Sequence, residues 1–296
     1  MTKLVDLTET ALPKLLPRQP DSHKGDFGRA VLVGGSRGMS GAMSLAGQAT
    51  LRGGAGLVTL AVPRSIQDVV AAIEPSYMTH GLLEDEGQIA FLAVEEVLKL
   101  AASATALAIG PGLGRGASLT DFAVRLQRDV DKPAVIDADG LFALAERSES
   151  LVKPGGPRVL TPHPGEFERL TGERLQVSRR AEAAAQLAQR DSSGRTVVVL
   201  KGHETVVTDG QRYSLNHTGN PGMATGGSGD VLTGMITALL CQGVSPFDAA
   251  RLGVHVHGLA GDLAAAELGQ VSLIASDLIE YLPKAFQSLT DDRRPI

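Results

Sequence analysis

The sequence predicts an α/β protein with a mostly parallel central sheet and helices on both faces. Three observations carry that expectation. Short apolar segments recur without polar alternation, as strands covered on both faces require. Segments of helical character separate them, as crossover connections do in parallel sheets. Glycine- or proline-rich turns follow the strands, and the 35 glycines cluster in those turns instead of spreading as in a disordered chain.

The elements follow in order. Arg29–Val33 reads as a buried strand that turns at Gly34-Gly35-Ser36, and Ser40–Arg52 as a helix rich in small residues. Leu57–Val62 is a strand that stops at Pro63. Glu95–Ala102 looks helical, and Ala106–Ile109 is a short strand ending at Gly110-Pro111. Ala134–Ile136 runs into Asp137-Ala138-Asp139, and Arg158–Leu160 into Thr161-Pro162-His163-Pro164. The alanine-rich stretch from Arg180 to Gln189 is helical. Thr196–Leu200 is strongly β-branched and ends at Lys201-Gly202. Glu204–Thr208 and Gln211–Leu215 flank Asp209-Gly210, a favourable two-residue hairpin turn. Val231–Leu240 and Asp248–Leu268 read as two long helices. No linker or internal repeat divides the chain, so residues 1–296 are expected to form one domain, with 1–20 as an N-terminal lead-in.

Composition excludes several classes. The net charge is −5, aromatic residues make up 3%, and no basic run exists, so no nucleic-acid partner is expected. No apolar run approaches the ~20 residues that span a bilayer, and the N-terminus lacks the apolar core of a signal peptide. The single cysteine, Cys241, cannot form an internal disulfide, and a cytoplasmic location follows as the expectation. Cys241 itself reads as a small buried hydrophobe.

Parallel strands deliver their carboxyl ends to one edge, where ligands bind in open α/β sheets. Five strand-end turns, GGS, GPGLG, DADG, TPHPGE and KGHET, therefore imply one shared cleft. Asn220–Leu232 reads NPGMATGGSGDVL and leads into a helix beginning near Asp230. Glycines admit close backbone approach, and the first amides of a helix favour an anion, so Gly227, Ser228 and Gly229 suit a phosphate. Asp230 can be read as an N-cap or as a general base, and spacing does not separate the two. GxxxxGK[ST] is absent, and no GxGxxG follows the first strand, so neither a P-loop nor a dinucleotide fingerprint is supported. His255 and His257 lie two apart on a helix and do not face each other, so a metal site is not expected there.

The motifs together resemble a known family. NPGMATGGSGDVLTG is similar to the anion-hole motif of ribokinase-like small-molecule kinases. His23–Ala42, Leu51–Pro63, Ala108–Arg115, Val135–Leu141, Leu160–Leu170 and Lys201–Gly210 narrow the resemblance to the ADP-dependent NAD(P)H-hydrate dehydratases, over about residues 20–285. Two departures stand out: TGGSGD where the family tends toward TAGTGD, and Met39 where an aromatic often follows the GGS turn.

The resemblance implies a ribokinase-like fold and a repair reaction. NADH or NADPH hydrated at nicotinamide C6 would be phosphorylated on its hydroxyl by ADP, then lose phosphate, giving NAD(P)H, AMP and phosphate. It implies that Ala42, Gly114, His163 and Asp230 contact the hydrated dinucleotide, with Asp230 taking the hydroxyl proton. It places Lys201, Gly202, His203, Glu204, Thr205 and Gly229 on the adenine nucleotide. Mg²⁺ is the expected cofactor, its ligands unassigned, with ADP, or in its place ATP, as co-substrate. A homotetramer is expected, together with a separate epimerase acting on the other C6 epimer. Asp137 and Asp139 fit either turn formation or contact with substrate or Mg²⁺-bound water. The alternative reading is a kinase of a small vitamin-precursor alcohol using ATP, which fits the anion hole but not TPHPGE and GPGLG. A non-catalytic nucleotide-binding module is the other, and the carboxylate at Asp230 argues against it.

Overall fold

A computed structural model describes residues 4–290. In chain order the elements are β1 Val5–Asp6, β2 Arg29–Val33, α1 Ser40–Arg52, β3 Leu57–Pro63, α2 Arg64–Ala71, β4 Met78–Leu82, β5 Glu84–Asp85 and β6 Gln88–Ile89. There follow α3 Val94–Ser103, β7 Ala106–Ile109, α4 Ala117–Asp129, β8 Ala134–Ile136, α5 Asp139–Glu146, β9 Arg158–Leu160, α6 Pro164–Thr171 and α7 Arg180–Ala188. The chain closes with β10 Thr196–Leu200, β11 Thr205–Thr208, β12 Arg212–Asn216, α8 Ser228–Cys241, α9 Pro246–Leu268 and α10 Ala275–Thr290.

Ten strands form one sheet in the order β1-β12-β11-β10-β9-β8-β7-β2-β3-β4. The run from β10 to β4 is parallel throughout, while β11 pairs antiparallel with both β10 and β12. Alternate residues of the central strands enter two different cores. Leu32, Ala108, Val135, Val159 and Val199 pack with α1, α2, α8, α9 and α10. Val31, Leu107, Ile136, Leu160 and Val198 pack with α3 to α7. Both faces are therefore apolar, which is why these strands show no hydropathy alternation.

The expected α/β fold is borne out, and most strands keep their expected bounds. The lead-in contributes β1, an edge strand parallel to β12. The hairpin loop is Asp209–Gln211, one residue longer than the two-residue turn expected. Asp209 Oδ1 accepts from the amides of Gln211 and Arg212 and so stabilises the longer loop. α8 starts at Ser228, ahead of the start expected near Asp230, because Gly227 (φ 92°) supplies the left-handed break and Ser228 is already helical. α1 and α8 approach so closely that a side chain at Gly234 would collide with the Ala46 carbonyl. Cys241 is buried, and burial pushes its thiol up to about 12. Among the described residues no helix is long and apolar enough to cross a membrane.

Candidate active site

The carboxyl ends of β2, β7, β8, β9 and β10 open on one edge, as the five turns required. The first turn is locked to the second: the Gly35 amide donates to Pro111 O at 2.8 Å and Ser36 Oγ to Gly112 O at 2.9 Å. Ala42, in the first turn of α1, lies over the GPGLG turn, where a Cβ on Gly112 would come within 3.2 Å of its own. The Gly114 amide donates to Asp139 Oδ2 at 3.0 Å, and Arg115 Nε donates to Asp139 Oδ1 at 2.9 Å. Asp139 is thus the anchor of the GPGLG turn and the first residue of α5, where a carboxylate complements the helix dipole.

The TPHPGE segment is a helix start. His163 is the N-cap of α6, and its Nδ1 accepts from the amides of Gly165 at 3.0 Å and Glu166 at 3.2 Å. Glu166 returns the bond, Oε2 accepting from the His163 amide at 2.8 Å. That is a capping box in which an imidazole takes the place of the usual hydroxyl. The proton of neutral His163 therefore sits on Nε2. Burial, followed by the Lys201 charge, lowers its pKa and favours that neutral form.

A cluster of charges occupies the seam between the turns. Asp137 is buried at the end of β8, with Oδ1 accepting from Lys201 Nζ at 2.8 Å and Oδ2 from Thr233 Oγ1 at 2.7 Å. These partners hold its carboxyl below the usual range although burial, the largest influence, pushes the other way. Lys201 Nζ also lies 3.8 Å from Glu166 Oε2. One ammonium cannot neutralise every nearby acid. Burial raises Glu166 to about 7, opposed by Lys201 and aided by Asp137. Burial likewise raises Asp230 to about 7, with the Asp137 charge adding to it.

Asp230 is the third residue of α8 and makes no hydrogen bond to an amide, so it does not cap the helix. Among the described residues the amides of Gly229 and Asp230 donate to no backbone acceptor, and Ser228 Oγ is buried without a partner. These groups are the donors that an oxyanion would satisfy. Beside them lies a cavity of about 500 Å³. Lys201, Gly202, His203, Glu204 and Thr205 line one wall and Gly229 another, so all six positions expected around the nucleotide meet in one space. Arg180 shapes the KGHET turn, donating to the carbonyls of Leu200, Lys201 and His203.

Sequence reasoning missed part of this site. Asn216, His217, Thr218 and Gly219, ahead of the NPGMATGGSGD motif, and the α9 residues Val254, His257 and Gly258 also line the cavity. His257 Nε2 donates to Ser228 O at 2.9 Å, and burial lowers its pKa to about 4, so it is a neutral prop for the start of α8. Nothing in the spacing of α9 signals that role. An H-x-x-E spacing is the one local signal that could have pointed to Glu166, but its place in the cluster depends on Lys201, thirty-five positions away.

Comparison with known proteins is consistent with this geometry. A family model described as NAD(P)H-hydrate dehydratase matches residues 30–284. The bifunctional NAD(P)H-hydrate repair enzyme Nnr of Moorella thermoacetica is 46% identical over 284 residues, covering 94% of this chain and 53% of that protein. The Nnr of Escherichia coli is 40% identical, covering 94% and 51%. The chain thus spans about half the length of these curated relatives. The ADP/ATP-dependent NAD(P)H-hydrate dehydratase of Bacillus subtilis, crystallised with ATP and Mg²⁺, superposes with a TM-score of 0.80 at 34% identity, covering 97% of this chain and 99% of that one. A ribokinase from Thermotoga maritima shares the fold alone, with a TM-score of 0.56 at 16% identity over 86% of this chain and 99% of that one.

Proposed function

The chain belongs to the NAD(P)H-hydrate dehydratase family, and on that premise we propose that it dehydrates (S)-hydrated NADH or NADPH in an ADP-dependent reaction. The observation that carries the proposal is Asp230: an uncapped carboxylate in the first turn of α8, raised to about 7, beside free helix amides and a nucleotide-sized cavity. A base of that pKa is half ionised near neutrality and still basic enough to take an alcohol proton.

In this reading ADP enters the cavity, held by Lys201–Thr205 and Gly229, with its phosphates toward the start of α8. The amides of Gly229 and Asp230 and the Ser228 hydroxyl receive the transferred phosphoryl oxygens. The hydrated nicotinamide lies against Ala42, Gly114 and His163. Asp230 takes the C6 hydroxyl proton, the oxygen attacks the β-phosphorus, and AMP leaves. The C6–O bond then breaks and phosphate departs, leaving NAD(P)H. Among the described residues no three His, Cys, Asp or Glu side chains converge as a metal cage. That donor set fits Mg²⁺ arriving on the nucleotide's own phosphates and waters, as this ion commonly does. When bound, the ion would supply charge neutralisation to those phosphates.

A homo-oligomer and a cytoplasmic setting belong to the same reading. So does a separate epimerase activity for the other C6 epimer, in keeping with the bifunctional names of relatives about twice as long.

The test is direct. Purified protein with (S)-hydrated NADH, ADP and Mg²⁺ should restore NADH absorbance while AMP and phosphate form. Asp230→Asn should slow turnover by about 10²–10⁴-fold while ADP still binds by calorimetry. Absence of NADH recovery with both ADP and ATP would overturn the reading.

A further inference from the structure

Glu166 belongs to the charge cluster but has no part in the phosphoryl transfer outlined above. Its carboxylate lies between groups assigned to the substrate and to the nucleotide. Oε1 is 3.4 Å from His163 Nε2, and Oε2 is 3.8 Å from Lys201 Nζ, whose charge also acts on Asp230. Its side chain is 17% exposed, so the carboxylate is largely dry while keeping some access to solvent.

Dehydration moves two protons: one leaves the C6 hydroxyl before phosphoryl transfer, the other leaves C5 when phosphate is expelled. Asp230 holds the first when the second must go. We propose that Glu166 is the base of the elimination step, accepting the C5 proton; the inference rests on the dehydratase reading. The C6–O bond breaks with its electron pair going to phosphate, while the N1 lone pair closes an N1=C6 iminium. The C5–H bond then breaks, its pair forms C5=C6, and the N1=C6 pair returns to nitrogen as the lone pair of the dihydronicotinamide. The proton goes to the Glu166 carboxylate. No oxidant or further reactant is needed.

The environment suits the task. Burial raises Glu166 to about 7, so the ionised form present near neutrality is a stronger base than a solvated carboxylate. The competing account is structural, because Glu166 closes the capping box of α6. Glutamine also closes such a box but cannot accept a proton there. Glu166→Gln therefore separates the two accounts.

In a single-turnover reaction with (S)-hydrated NADH, ADP and Mg²⁺, Glu166→Gln should form AMP at the wild-type rate up to a single equivalent per site. NADH should then appear about 10²–10⁴-fold more slowly, and the phosphorylated hydrate should accumulate and be seen by mass spectrometry. Substrate deuterated at C5 should show a primary isotope effect on NADH appearance and none on AMP formation. A structural role would instead lower the melting temperature and slow both products together. NADH at the wild-type rate, or AMP and NADH slowed equally, overturns the proposal. Wild-type protein that forms neither product overturns the dehydratase reading itself, with Glu166 intact.

Discussion

The two halves of the cleft are built by different means. On the side of Ala42 and Gly114, short turns leave parallel strands and lock directly onto one another: Gly35 on Pro111, Ser36 on Gly112, Gly114 on Asp139. The contacts are backbone-close, and glycines with positive φ make them possible. On the side proposed for the nucleotide the walls come from distant segments, the KGHET turn, the Asn216–Ala224 loop and α9. Polar side chains tether those walls. Arg180 holds the KGHET turn, and Asp262 accepts from the Gly219 amide at 2.8 Å and Asn220 Nδ2 at 3.0 Å. Close-packed backbone cannot move without collision, whereas a side-chain tether yields by changing rotamer. The side proposed for the dinucleotide is thus held by turn-to-turn backbone bonds, and the side proposed for the nucleotide by side-chain tethers together with close backbone contacts such as Gly258 against Thr218.

The same substitution made in each half probes that difference most strongly. A Cβ on Gly110 (φ 126°) would overlap the Asp137 carbonyl and crowd the Gly140 amide at 2.7 Å. Gly110→Ala should cost about 4 kcal/mol, from positive-φ strain plus overpacking. The nearest atoms to a Cβ on Gly202 (φ 141°) belong to the Arg180 guanidinium, at 3.0 Å, a side-chain end and not backbone. Gly202→Ala should cost about 1–2 kcal/mol, from strain alone. Urea unfolding of both variants decides the matter; equal losses would break the comparison.

The next effect lies at the seam. Lys201 ties the nucleotide turn to Asp137 of the other half. Lys201→Met leaves the Asp137 carboxylate buried and uncompensated, and should destabilise the protein by about 3 kcal/mol. Denaturation midpoints measure this, and a loss below about 1 kcal/mol, typical of a surface pair, would mean that the seam is solvated.

A further effect is a slope with pH. Asp230 and Glu166 stand at about 7 in the fold, above the ~4 of free carboxylates. Folding raises both pKa values, so their favourable contribution is full below about pH 4 and fades as pH rises through about 7. Asp137 works in the opposite sense: its lowered pKa contributes above about pH 4 and is lost in acid. The ligand-free protein should melt at lower temperature at pH 8 than at pH 5.5, and Asp230→Asn should flatten that slope. His257, lowered to about 4, works in the opposite sense by adding stability as pH rises through the range of an unfolded histidine, so the decisive reading is the difference between wild type and Asp230→Asn; equal slopes in the two would contradict the cluster's charge balance.

Much of the Ala42–Gly114 side was legible in the chain, because a turn that needs positive φ leaves glycine in the sequence at that spot. The strands were legible for a similar reason, since burial on both faces leaves continuous β-branched and aliphatic runs. The helices α2, α4, α5, α6 and α10 were not anticipated. α5 and α6 begin inside DADG and TPHPGE, segments whose glycine and proline read locally as turns. β4 escaped notice because it is an edge strand, half exposed, without an apolar run.

The chain by itself determined the parallel α/β architecture and the shared edge for the five turns. Backbone preference and hydrophobic burial are written in neighbouring residues, so a linear reading recovers them. Whether Asp230 caps α8, why His163 can serve as an N-cap, and which acids share the single charge of Lys201 were decided only by tertiary structure. A carboxylate's ionisation depends on burial and on charges a few ångströms away, and those neighbours come from β8, α6, β10 and α8, which only folding brings together.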